Sequence, residues 1–185
     1  MHSTLFTIPS IGTFNTKEIL FVFALESEAG NLFDDYNTCF TGIGKMRATY
    51  FLNEAIQIHQ PKLIINLGTA GSHLFQKGSF INCTKFLQRD MNLIDLGFKP
   101  YETPFSDDET ILTNGIEYSD LPKATCGSGD QFESNLDSLD YQVVDMEAFA
   151  LAWVSKRKNI PFLCIKYISD GANDNASEDW TKEII

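Results

Sequence analysis

Four places in the chain set carboxylates or hydroxyls directly against an apolar run. Glu26 and Glu28 follow "ILFVFAL", which starts at Ile19, and Thr69, Ala70 and Gly71 belong to "GTAGS" just after "KLIINL". Asp145 closes "YQVVD" with Glu147 two residues on, and Ser169 and Asp170 close "FLCIKYISD". Groups of these types can accept hydrogen bonds from a bound molecule's hydroxyls and exchange protons with it.

Each has a plainer reading beside the chemical one. Glu26 and Glu28 suit the positive end of a helix dipole, and Gly68 and Gly71 suit a turn. Asp145 suits a helix cap, and Ser169 with Asp170 suits a polar turn. Glu147 resists such a reading: it lies in a first helical turn between apolar neighbours and needs a partner there.

The elements that must position these groups follow from the hydrophobic pattern. The four apolar runs lack strict alternation, so they read as strands covered on both faces, as in α/β proteins. Between them "MRATYFLNEAIQIHQ" places Ala48, Phe51, Leu52, Ala55 and Ile56 on one stripe of a helix. "MEAFALAWVSKRK" is apolar on more than one side and reads as a largely buried helix, stopping near Lys158, Asn159 and Pro161. Residues 98 to 128, rich in Pro, Asp, Thr and Gly, read as turns and short strands, and "SEDWTKEII" reads as a helix with Ser177 as its cap. In α/β sheets ligands gather beyond the carboxyl ends of strands, which is where all four polar groups fall.

The 185 residues, 43% hydrophobic and 21% charged, fit one cored domain over 1–185. A formal net charge of -11 argues against nucleic-acid partners and favours a small, weakly charged or cationic ligand. Cys39, Cys83, Cys126 and Cys164 form no metal-ligand spacing, and His2, His59 and His73 are far apart, so no metal is expected and the thiols read as reduced. "GIGKM", from Gly42, lacks the spacing of a triphosphate loop. The amino-terminal residues lack the pattern of a secretion signal and no apolar run reaches the length of a membrane span, so a cytoplasmic protein is expected. On that expectation the sequons at Asn82 and Asn175 carry no glycan.

Taken in order, "FALESEAG", "TGIGKMRA", "INLGTAGS", "GSGDQF", "VVDMEAFALA" and "KYISDGAND" resemble the nucleoside phosphorylase and nucleosidase superfamily, most closely its methylthioadenosine/adenosylhomocysteine nucleosidase branch. The match runs from about residue 20 to 175. It implies an α/β fold with a central, mixed, twisted β-sheet flanked by helices, and hydrolysis of the bond between a purine and a ribose without a cofactor.

By the same resemblance, Glu28 looks like the base that activates water, with Thr69 beside that water and Ala70 and Gly71 next to it. Met146 resembles the residue under the sugar, Glu147 the carboxylate on the ribose hydroxyls, Phe132 the ring on the purine, and Asp170, oriented by Ser169, the acid at purine N7. Glu133 takes the purine-edge position, usually apolar in the family. Arg89 and Asp90 fall where the family receives the 5′ substituent at a dimer contact, which implies a homodimer and a polar 5′ group. The region 98–128 is shorter than in well-known members.

The chemistry is coherent on its own terms. Breaking this bond builds positive charge on the sugar and negative charge on the base, so an anion near the first and a proton donor near the second are needed. A phosphorylase needs arginines for its phosphate; "ALESEAG" and "INLGTAG" carry glutamates and no arginine, which favours water. A phosphorylase and a nucleoside-binding sensor without turnover are the alternatives.

Overall fold

The computed structural model describes residues 4–118, 120–133 and 140–172. The elements, in chain order, are β1 (Leu5–Ile8), β2 (Gly12–Asn15), β3 (Ile19–Phe23), α1 (Glu26–Ala29), β4 (Thr38–Phe40), α2 (Lys45–His59), β5 (Leu63–Gly71), β6 (Phe80–Gln88), β7 (Lys123–Ser128), β8 (Val143–Asp145), α3 (Ala148–Arg157) and β9 (Phe162–Asp170). Strands β1 and β2 form a separate antiparallel hairpin. The other seven form one mixed sheet in the order β4-β3-β5-β8-β7-β6-β9.

This is the expected mixed sheet with helices, but it closes on itself. Strand β9 pairs in parallel with β5 along most of its length and antiparallel with β6, so β5, β8, β7, β6 and β9 make a ring of pairings. A register shift at Ala70/Gly71 lets the end of β5 turn to meet Val144 of β8. Bulges of this kind bend a strand and re-aim its side chains, and here the bent end carries "TAG".

The four apolar runs are strands, and both expected helices form. On α2 the buried residues are Ala48, Leu52, Ala55 and Ile56, the stripe read from spacing, and Phe51 packs against the core partly buried. The helix ends at Gln60, left-handed at φ 46°, whose N–H closes on the Ile56 carbonyl. On α3, Ala148, Ala150, Leu151, Ala152, Val154 and Ser155 are all buried, which accounts for the absence of a polar face until Lys156. The two helices pack on each other and on the sheet.

Two features differ from expectation. Gly68 and Gly71 are strand residues of β5 and not turn glycines. Strands β1, β2, β4 and β6 have no counterpart in the pattern reading, because their runs are short or interrupted by Asn, Thr, Lys and Gly. Within 98–128, read as turns and short strands, the described residues hold the short strand β7 and isolated bridges at Leu112 and Gly115, as expected. His2, Asn175 and the helix expected from Ser177 lie outside the described residues. All four cysteines are buried free thiols, and among the described residues no helix is long and apolar enough to cross a membrane.

Candidate active site

The carboxyl ends of the strands border one cavity of about 330 Å³. Ala24, Leu25 and Glu28 reach it from the end of β3, Thr69, Ala70 and Gly71 from β5, and Arg89 from β6. Gln131, Phe132 and Glu133 reach it from β7, Met146 and Glu147 from β8, and Asp170 from β9.

Glu28 is fixed by four donors. Its Oε2 accepts from the backbone N–H groups of Ala24 and Leu25, each at 3.0 Å, and its Oε1 accepts from Thr69 N–H at 2.9 Å and Thr69 Oγ1 at 3.0 Å. It therefore joins the first turn of α1 to the middle of the sheet. A side chain at Gly68 would place its Cβ 3.1 Å from Glu28 Oε1, so the bare backbone there makes room for the carboxylate. Glu26, by contrast, is exposed and keeps the plain first-turn reading.

Asp145 and Glu147 divide their work. Asp145 Oδ2 accepts from Ala148 N–H at 2.8 Å, the cap anticipated for α3, and also meets Lys166 Nζ at 2.8 Å. Its Oδ1 accepts from Ser128 Oγ at 2.5 Å. Burial alone would raise the Asp145 carboxyl, but the Lys166 charge, Ser128 and the Ala148 N–H hold it below the ordinary value. Lys166 is 1% exposed; burial works to lower its ammonium, but the Asp145 carboxylate together with Cys164, Cys126 and Glu147 holds it well above the usual lysine range.

Glu147, 8% exposed, has the partner its position demanded: Oε1 accepts from Gly44 N–H at 2.9 Å. Burial, then the nearby Asp145 charge, pushes its carboxyl up to about 8, with Glu28 adding to the rise and Lys166 and the Gly44 N–H opposing it. Met146, beside it, lines the cavity.

At the end of β9, Asp170 Oδ1 accepts from Ala172 N–H at 2.8 Å and Oδ2 from Ser169 Oγ at 2.9 Å. Ser169 is fully buried behind Asp170 and is not part of the cavity wall, so it orients the acid without lining the site. Gly71 allows this packing, since a Cβ there would stand 2.6 Å from Asp170 Oδ1. Phe132 is 46% exposed and lines the cavity.

Arg89 and Asp90 part company. Asp90 pairs with Lys45 and accepts from Asp130 N–H, away from the cavity wall. Arg89 turns inward: NH1 meets Glu133 Oε2 at 3.1 Å and NH2 donates to the Gln131 carbonyl, so it shares a wall with Phe132 and Glu133.

Three contributors escaped the sequence reading. Lys166 sits in the middle of "FLCIKYI", where a lone cation in a buried strand is itself a signal, because such a charge needs an anion. Gly44 supplies its N–H with φ at 99°, a conformation natural to glycine. Ser128 joins Asp145 to the N–H of Phe149, to which its Oγ is an acceptor at 2.8 Å. Among the described residues no cluster of His, Cys, Asp and Glu could hold a metal ion.

Chemically, this is a carboxylate-rich cavity with one guanidinium, one half-exposed aromatic ring and three carboxylates, Glu28, Glu147 and Asp170, held in place by backbone N–H groups. It suits a molecule with hydroxyls and a flat ring that gains positive charge as it reacts.

Known proteins resemble this chain in sequence and in fold. A family model described as the phosphorylase superfamily matches residues 125–185. A 5′-methylthioadenosine/S-adenosylhomocysteine nucleosidase of Buchnera aphidicola is 30% identical over 164 residues, 78% of this chain and 71% of that protein. The enzyme of the same name from Haemophilus influenzae is 26% identical, over 74% of this chain and 69% of its own. Among solved structures, the Helicobacter pylori 5′-methylthioadenosine/S-adenosylhomocysteine nucleosidase superposes with a TM-score of 0.80 at 16% identity, covering 90% of both chains. The futalosine hydrolase of Helicobacter pylori also superposes with a TM-score of 0.80 at 16% identity, covering 90% of this chain and 91% of that one.

Proposed function

Because this chain belongs to the nucleoside phosphorylase and nucleosidase superfamily, close to the 5′-methylthioadenosine/S-adenosylhomocysteine nucleosidases, we propose that it is a purine nucleosidase. It hydrolyses the N-glycosidic bond of a purine ribonucleoside, giving the free base and the sugar. The observation that carries this reading is the meeting of Glu28, Thr69, Glu147 and Asp170 on one cavity, at or just beyond the ends of four separate strands.

In this reading Phe132 stacks on the purine and Met146 lies under the sugar. Glu147 holds the ribose 2′ and 3′ hydroxyls, and its negative charge stabilises the sugar as the bond to the base breaks. Burial raises its pKa, and developing positive charge beside it favours the ionised form. Asp170, oriented by Ser169 and the Ala172 N–H, passes a proton to N7 of the departing base. Glu28, aligned by Thr69, takes a proton from the attacking water. Ala70 and Gly71 form the floor between these groups.

Water is favoured over phosphate because Glu28 and Glu147 would repel a dianion at the sugar. The 5′ modification rests on the resemblance, since Asp90 does not line the cavity. A homodimer is part of the same proposal; exposed Met46 and Tyr50 on α2 supply apolar surface for a second copy. A cytoplasmic location fits such a role.

The test is incubation of the protein with 5′-hydroxyl and 5′-thioether purine nucleosides, with free base read by chromatography. Release of base from any of them supports the proposal. Intact nucleosides throughout, with binding retained, would leave a sensor in its place.

A further inference from the structure

Resting on the nucleosidase reading, we infer that Arg89 and Glu133 read the C6/N1 edge of the base and select 6-oxopurine nucleosides over 6-aminopurine ones. The two side chains share the wall that carries the stacking ring Phe132, and they are joined at 3.1 Å. That wall therefore presents a charged donor and a charged acceptor side by side, where an apolar residue would present neither.

The guanidinium is held rigidly. Its NH1 meets Glu133, its NH2 donates to the Gln131 carbonyl, and its flat group packs where a side chain at position 129 would stand, 2.9 Å from that Cβ site. The side chain is 6% exposed. Its Nε is a buried donor with no hydrogen-bond partner among the described residues. NH1 and NH2 each carry a second N–H beyond the bond already named, and these are the donors that a bound molecule's acceptor can take.

The edge of a 6-oxopurine offers a carbonyl oxygen with two lone pairs beside an N1–H donor. Arginine pairs by preference with that carbonyl, and a carboxylate accepts well from the neighbouring N–H. A 6-aminopurine reverses the order, turning its amino donor toward the guanidinium and its N1 acceptor toward the carboxylate. Sites that match a ligand's polar pattern reject the mismatched ligand strongly, because the site's own groups are then left unpaired.

The decisive experiment compares inosine and guanosine with adenosine for kcat/KM, and hypoxanthine with adenine for binding by calorimetry, on the intact protein. The expected result is a preference of about tenfold or more for the 6-oxo compounds in both measurements. Glu133→Leu and, separately, Arg89→Met should each bring the ratio toward one. Adenosine cleaved as well as inosine, or adenine bound as tightly as hypoxanthine, overturns the inference while leaving the nucleosidase reading intact. If no nucleoside is cleaved, that reading fails, and the base-binding comparison alone decides the inference: tighter hypoxanthine supports it and tighter or equal adenine overturns it.

Discussion

The Glu147 carboxylate and the backbone N–H of Gly44 meet at 2.9 Å although 103 positions separate them in the chain. This bond ties the residue after β8 to the loop that opens α2, and it is the contact that lets a carboxylate stay in a buried place. It does not fully offset burial, as the rise of the Glu147 carboxyl to about 8 records.

A stability consequence follows from that rise. The folded value of about 8 lies above the ordinary 4.5, so the folded protein keeps a proton that the unfolded chain releases. The stabilisation is complete below pH 4.5, declines as pH rises, and is lost once pH passes about 8. Glu147→Gln, which cannot ionise, should lack this decline, a difference of roughly a few kcal/mol across the window. Urea unfolding of both ligand-free proteins at pH 5 and pH 8.5 measures it; parallel pH profiles would count against the raised value. Activity of the same variant should be severely reduced.

The buried pair Lys166–Asp145 gives a second prediction. Lys166→Met leaves Asp145 buried without its cation and should cost about 3–5 kcal/mol. Asp145→Asn in the same chain should recover part of that loss, since the unpaired charge is gone while a side-chain oxygen can still accept from Ala148 N–H. Chemical denaturation of the two single variants and the double gives the coupling; strict additivity would mean that the pair is not interacting.

Asp170→Asn and Glu28→Gln remove proton transfer while nearly keeping shape. Each should lower kcat by ~10² to 10⁴ with circular dichroism unchanged. Activity within a factor of two of the parent would take that residue out of the mechanism.

Gly71→Ala tests the close approach behind the acid. The added carbon would stand 2.6 Å from Asp170 Oδ1 and 3.1 Å from Val144, both in packed surroundings. Overpacking of this kind costs about 1–3 kcal/mol, and kcat should fall more than KM rises because the acid is what moves. A fall in Tm with kcat unchanged would show that the strain is absorbed on the Val144 side instead.

Much of the site was legible because it breaks local rules. A glutamate between "VVDM" and "AFALA" has no plain reading, and it proved to be buried and partnered. Asp145 shows the limit of local reasoning: its cap on Ala148 was visible, but its bond to Lys166 depends on β9 lying inside the ring of strands. That ring, like the turn of Arg89 toward Glu133, is set by pairings between distant segments, which periodicity does not encode. Strand β6 was obscured by Asn82, a polar residue that the fold buries, and by Lys85, which it leaves exposed.

The most direct measurement follows free base and sugar released from inosine as inorganic phosphate is raised from zero. Equal amounts of hypoxanthine and free ribose, formed at a rate independent of phosphate, are the expected result. Base release that requires phosphate and yields ribose 1-phosphate would contradict hydrolysis by a water held at Glu28.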